Sequence, residues 1–96
     1  MIIIAGTIQI NPEGRKSTIT AIRQMMADSQ AEEGCIAYEF SADLTAPDIL
    51  HLFEVWESAE ALEAHRNSSH MAAFKQEIGP KFVKIDTKRY IGEVAG

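Results

Sequence analysis

Ile2, Ile4, Ile8 and Ile10 recur at alternate positions with Gly6 between them, so the chain opens as a strand with one buried face. Such a strand needs a layer packed on its apolar side, and the next segment supplies one. Asn11, Pro12, Glu13 and Gly14 form a turn cluster. Ile19, Ile22 and Met26 then follow at spacings of three and four, which puts them on one stripe of a helix running from about Arg15 to Ala31.

Gly34 supplies the backbone freedom to leave that helix, and Ile36, Tyr38 and Phe40 alternate with Cys35, Ala37 and Glu39 as a second strand. Asp43 to Asp48, with Pro47, reads as a loop. Ile49 to Trp56 is rich in β-branched, aromatic and leucine residues and returns as a hairpin strand. Ser58 is placed to cap a helix from Ala59 to about His65, and Ser68 or Ser69 a second one carrying Met71, Phe74 and Ile78. Gly79-Pro80 stops it. Phe82 to Ile91 supplies a last strand, with Val83, Ile85 and Ile91 on one parity and Lys84, Asp86 and Lys88 on the other. The order β-α-β-β-α-β predicts an α+β, ferredoxin-like antiparallel sheet with helices on one face, in a single domain over residues 1–96. That architecture hosts many unrelated activities, so the side chains have to carry the functional argument.

Apolar residues make up 46% of the chain and charged ones 24%, which excludes disordered, collagenous and membrane-spanning classes. The net charge is −5 and the nine Lys and Arg are scattered, so nucleic acid finds no basic stripe to bind. Cys35 stands alone; it forms no internal disulfide and suits a reducing cytoplasm. The opening Met-Ile-Ile-Ile-Ala lacks a positive flank and is too short for a secretion signal or a membrane span. A cytoplasmic protein is expected. There is no Gly-rich phosphate loop, nucleophile elbow or paired cysteine.

The informative stretch is Glu33-Gly34-Cys35, then Tyr38, then Glu54-Val55-Trp56-Glu57-Ser58, Leu62-Glu63-Ala64-His65 and Ser69-His70-Met71. In order and spacing these pieces resemble the antibiotic biosynthesis monooxygenase family. The resemblance implies a homodimer whose sheets pack face to face as a dimeric α+β barrel, with an apolar cavity in each subunit. It further implies oxidation of a small aromatic substrate, a quinol or polyphenol, by dioxygen with no cofactor and no metal. Protein groups then need only bind, orient and move protons.

His65 and His70 are the first candidates for proton transfer, because imidazole titrates nearest neutrality. On a continuous helix they would diverge by about 140°, at roughly 100° per residue, so no metal pair is expected from them; Asn67-Ser68-Ser69 is where such a helix would break. A structural role, capping or bonding a buried carbonyl, competes for each. Glu54 shares its parity with Leu50, Leu52 and Trp56, which sets a carboxylate among apolar neighbours, where it must pair, bond or protonate. It can orient a His, take a phenolic proton, or pair with Arg23, Arg66 or a partner subunit. Tyr38, Trp56, Phe53 and Phe74 are candidates to stack on a flat ligand, with Asn67 near them, although most aromatics in so small a domain are core. Two alternatives remain at this level: an isomerase of a phosphorylated dione, for which Arg66, Lys75 and Lys84 are a loose cationic set, and a non-catalytic binding or stress-response module. Haem degradation is set aside, since Thr7, His65 and Lys75 stand where related haem-degrading domains carry Asn, Trp and His.

Overall fold

A computed structural model describes all 96 residues. The elements run β1 (Ile2–Ile10), α1 (Arg15–Gln30), β2 (Cys35–Ala42), β3 (Ile49–Trp56), α2 (Ala59–Arg66), α3 (Ser69–Ile78), a 3-10 turn (Gly79–Lys81) and β4 (Phe82–Ile91). The sheet is antiparallel throughout, in the order β2-β3-β1-β4. This is the expected α+β, ferredoxin-like arrangement, with the second helix divided into α2 and α3.

Register places the inward side chains in rows across the sheet. Tyr38 on β2 lies opposite Glu54 on β3, Glu54 opposite Ile4 on β1, and Ile4 opposite Arg89 on β4. One row along, Phe40, Leu52, Gly6 and Thr87 line up in the same way. An added Cβ on Gly6 would sit 2.1 Å from the Asp86 carbonyl oxygen, so the close pairing of β1 with β4 requires glycine there.

All four alternating isoleucines of β1 are buried, and they join Ile22, Met25, Leu50, Leu52, Trp56 and Leu62 in one core between sheet and helices. Two expectations need adjustment. The buried stripe of α1 is Thr18, Ile22, Met25 and Ser29, with Ile19 and Met26 only partly covered; Ile22 alone belongs to both sets. On β4, Val83, Ile85 and Ile91 are more than half exposed, because this edge strand pairs only with β1 and the helices pack over the other strands.

The break between α2 and α3 is built by Ser68. Its hydroxyl donates to the His65 carbonyl at 2.6 Å, ending α2, and accepts from the Met71 N–H at 3.2 Å, starting α3. Gly34, at φ 84°, turns the chain from α1 into β2, and a Cβ there would lie 2.6 Å from Ala61 Cβ on α2. No helix is long and apolar enough to cross a membrane.

Candidate active site

Between the inner face of the sheet and α2–α3 lies a cavity of about 190 Å³. Ile4, Ile8, Phe40, Leu52, Leu62 and Phe74 give it an apolar lining, into which Tyr38, Glu54, His65 and Arg66 bring polar groups. A larger groove of about 820 Å³ runs between α1 and α3, where Met25 and Phe74 sit among Lys16, Gln24, Asp28 and Glu77, but it is open and does not include Tyr38, Glu54 or His65. The smaller cavity is where apolar enclosure and titratable groups coincide.

Glu54 is 6% exposed, and its Oε1 accepts a 2.9 Å hydrogen bond from the indole Nε1–H of Trp56, two residues along the same strand face. Burial raises its pKa; the Trp56 bond and the charges of His65 and Arg66 oppose that without cancelling it. It forms no ion pair with Arg23 or Arg66. Tyr38, across the register, is also buried, and desolvation together with the Glu54 charge pushes its phenol well above the ordinary value. Tyr38 therefore stays protonated and can donate. Desolvation and the charges of Glu32 and Glu54 likewise raise the Cys35 thiol, which makes it a poor nucleophile.

His65 is 2% exposed, its ring centroid 4.7 Å from that of Trp56 and 5.3 Å from that of Tyr38. Its Nδ1 lies 3.0 and 3.2 Å from the two carboxylate oxygens of Glu32, in the turn that leaves α1. With Nδ1–H donated to that carboxylate, Nε2 is left as the free acceptor, the arrangement by which a carboxylate fixes a histidine's tautomer. His70 Nε2 makes an ion-pair contact with the same Glu32 Oε1, and this buried nitrogen has no other partner.

The sequence candidates are thus sorted by the fold. Glu54, His65, Tyr38 and Phe74 meet at the cavity, while His70 lines the neighbouring groove. Trp56 is fully buried behind His65 and Glu54, and supports them without lining the cavity. Phe53 and Asn67 lie elsewhere. Strand alternation turns Phe53 to the opposite, helix-free face, where it is 43% exposed, and Asn67 caps α2 at the surface with its amide donating to Glu63. The absence of a metal-ligand cluster was expected from helix geometry; the break at Ser68 instead brings both imidazoles to one carboxylate. Sequence reasoning missed Glu32, because an acid just past a helix end reads as solvated. Its position directly before the Glu33-Gly34-Cys35 motif was the available signal.

A carboxylate and an imidazole thus face one apolar cavity within a layered ferredoxin-like fold. The profile of the antibiotic biosynthesis monooxygenase family matches residues 1–77, and the chain belongs to that family. The Synechocystis protein sll1783 is 32% identical over 73 residues, 76% of this chain and 50% of that one, so the chain spans half its length. The probable quinol monooxygenase YgiN of Escherichia coli is 27% identical over 88 residues, covering 81% of this chain and 85% of its own. A crystal structure from Bacteroides thetaiotaomicron, of a protein described as of unknown function and a possible oxidoreductase, superposes with a TM-score of 0.84. It is 29% identical, over 93% of this chain and 94% of that one.

Proposed function

We propose that the chain is a cofactor-independent monooxygenase of a quinol or polyphenol held between sheet and helices. The observation that carries this reading is that Glu54 and His65 line one apolar cavity, with His65 Nδ1 bound to Glu32 and its other nitrogen free. The name of the Escherichia coli relative supports the substrate class. The volume, about 190 Å³, favours a single ring, since an apolar cavity of roughly 150 Å³ takes benzene.

In this reading His65 Nε2 takes a phenolic proton, and Tyr38 and Glu54 hold the remaining oxygens of the substrate. The phenolate passes one electron to dioxygen. Recombination of the two radicals forms a carbon–oxygen bond, and the distal oxygen takes the proton that His65 returns. The oxygen–oxygen bond then breaks as the attacked ring carbon gives up its hydrogen, so that one oxygen leaves as water with both hydrogens and the other stays on the ring as a carbonyl. Quinol plus dioxygen gives hydroxyquinone plus water, so the substrate supplies every electron and no reductant is consumed. The isomerase alternative loses ground because Arg66 is the sole cation at the cavity, Lys75 and Lys84 lying outside its lining.

The same proposal includes a homodimer. Phe53 and Tyr90 stand exposed on the helix-free face beside Ile3 and Ala5, an apolar surface that a second copy would cover, with Arg89 to Val94 reaching towards the partner. The lone free Cys35 fits work in a reducing cytoplasm. The test is oxygen uptake by chelator-treated protein across hydroquinones, naphthoquinols and anthrones, with autoxidation subtracted. Uptake greatest for single-ring substrates is expected, and none across the panel would shift the reading to a binding module.

A further inference from the structure

Glu32, His65 and His70 come from three segments, the exit of α1, the last turn of α2 and the first turn of α3, yet their donor atoms all lie within 4.8 Å of one another. We propose that they form a binding site for one divalent transition-metal ion of the zinc class. The inference does not depend on the oxygenase reading.

Two imidazole nitrogens and one carboxylate oxygen are a ligand set that such ions accept, and they leave a coordination position open. At metal–ligand distances of about 2.0–2.2 Å, tetrahedral neighbours stand roughly 3.3 Å apart. His65 Nδ1 is already 3.0 and 3.2 Å from the Glu32 oxygens; His70 Nε2, which stands closer to Oε1 than that spacing, has to draw back by a side-chain rotation to admit an ion between them. His70 supplies the second, independent sign. Its Nε2 is buried against the same Glu32 oxygen and has no other partner, so a cation set between the two would take the place of the proton that this contact otherwise needs. The surroundings also fit. The His65 ring is held by Trp56 and Tyr38, which fixes the direction of its ligating nitrogen. His70 borders the groove between α1 and α3, where Gln24, Asp28 and Glu77 mark an entry path suited to a cation. An ion on Nδ1 displaces the proton that this nitrogen gives to Glu32, leaving Nε2 protonated and unable to act as a base. Zinc is therefore expected to suppress any turnover.

The test titrates chelator-stripped full-length protein with Zn²⁺, by competition with a chromophoric indicator, and with Co²⁺, by visible absorption. One ion per chain is expected. His70→Ala and Glu32→Gln should each weaken binding by more than the roughly 10- to 100-fold lost with an outer-shell partner. His51→Ala, which removes a surface imidazole 2.8 Å from Asp43, should leave binding unchanged. Because His65 is core, His70→Ala and Glu32→Gln carry the test if His65→Ala fails to fold. No saturable binding of either ion, binding that persists in both of those variants, or binding abolished by His51→Ala would each overturn the assignment.

Discussion

Replacing Glu54 with Gln separates the charge of a buried side chain from its shape. The variant keeps the size and a carbonyl oxygen for the Trp56 indole, 2.9 Å away. It loses the ability to ionise at a position that is 6% exposed and has no ion-pair partner. Burial raises the folded-state pKa of Glu54 above its ordinary value. A raised pKa contributes stability that is fully present below the unfolded-state pKa and lost as pH rises through the folded one. At neutral pH the wild-type chain bears the cost of a desolvated carboxylate, and the amide does not. Glu54→Gln should therefore be the more stable protein at neutral pH, by on the order of 1 kcal/mol, the usual cost of an incompletely satisfied buried group. For a chain this size that is a rise in Tm of roughly 4–8 °C. The gap should close as pH falls towards 4.5, the ordinary glutamate value. Turnover on an accepted quinol should move the other way, falling while stability rises. Calorimetric melting across the acid-to-neutral range reads the first effect and oxygen uptake the second. A variant less stable than wild type at neutral pH, with a deficit that grows as pH rises, would show that the folded state favours the carboxylate and would refute the reasoning.

Other outcomes are equally open to measurement. His65→Ala should lower turnover by roughly 10²–10⁴-fold, and Glu32→Gln should lower kcat with little change in KM; activity lost only in proportion to unfolded protein would retire the proton-transfer role. Sedimentation at micromolar concentration should give a dimer for the wild type and a monomer for Phe53→Asp on the helix-free face. A monomeric wild type would remove the dimer from the proposal.

Much of the fold was legible because its signals are local. The alternation of Ile2, Ile4, Ile8 and Ile10 needs only the period of a strand, and every one of them is buried. The α1 stripe was read less well because two of its four buried positions are hydroxyl residues. Thr18 reaches the Gly14 carbonyl at 3.3 Å and Ser29 the Met25 sulfur at 3.2 Å, so both are satisfied inside the helix layer without an apolar signature. On β4 the sequence carries an apolar parity, but nothing local says that the strand will be an edge left uncovered by helices. Phe53 is the same lesson inside a strand. Its chemistry suggested a stacking wall, while the alternation that turned Glu54 inward had to turn its neighbour outward.

The site was legible where one element holds both partners, as Glu54 and Trp56 do on β3, and illegible where two helices and a turn converge. His65 and His70 meet at Glu32 only because the helix is interrupted between them, and Ser68 makes both hydrogen bonds at the interruption. Removing that hydroxyl tests whether the break organises the cluster. Ser68→Ala loses the cap of α3, a cost of about 1 kcal/mol, or roughly 4–8 °C in Tm for this chain. It also frees α2 to run on into α3, which would swing His70 away from Glu32 by the helical twist of about 100° per residue. Zinc and cobalt affinity should therefore fall in Ser68→Ala and hold in Ser69→Ala, whose hydroxyl caps neither helix. Each variant is titrated well below its own melting temperature, so that loss of fold is not counted as loss of ligand. If Ser68→Ala melts earlier yet binds as tightly as wild type, the convergence of the two imidazoles does not depend on the cap, and packing of α3 against α1 must hold His70 in place.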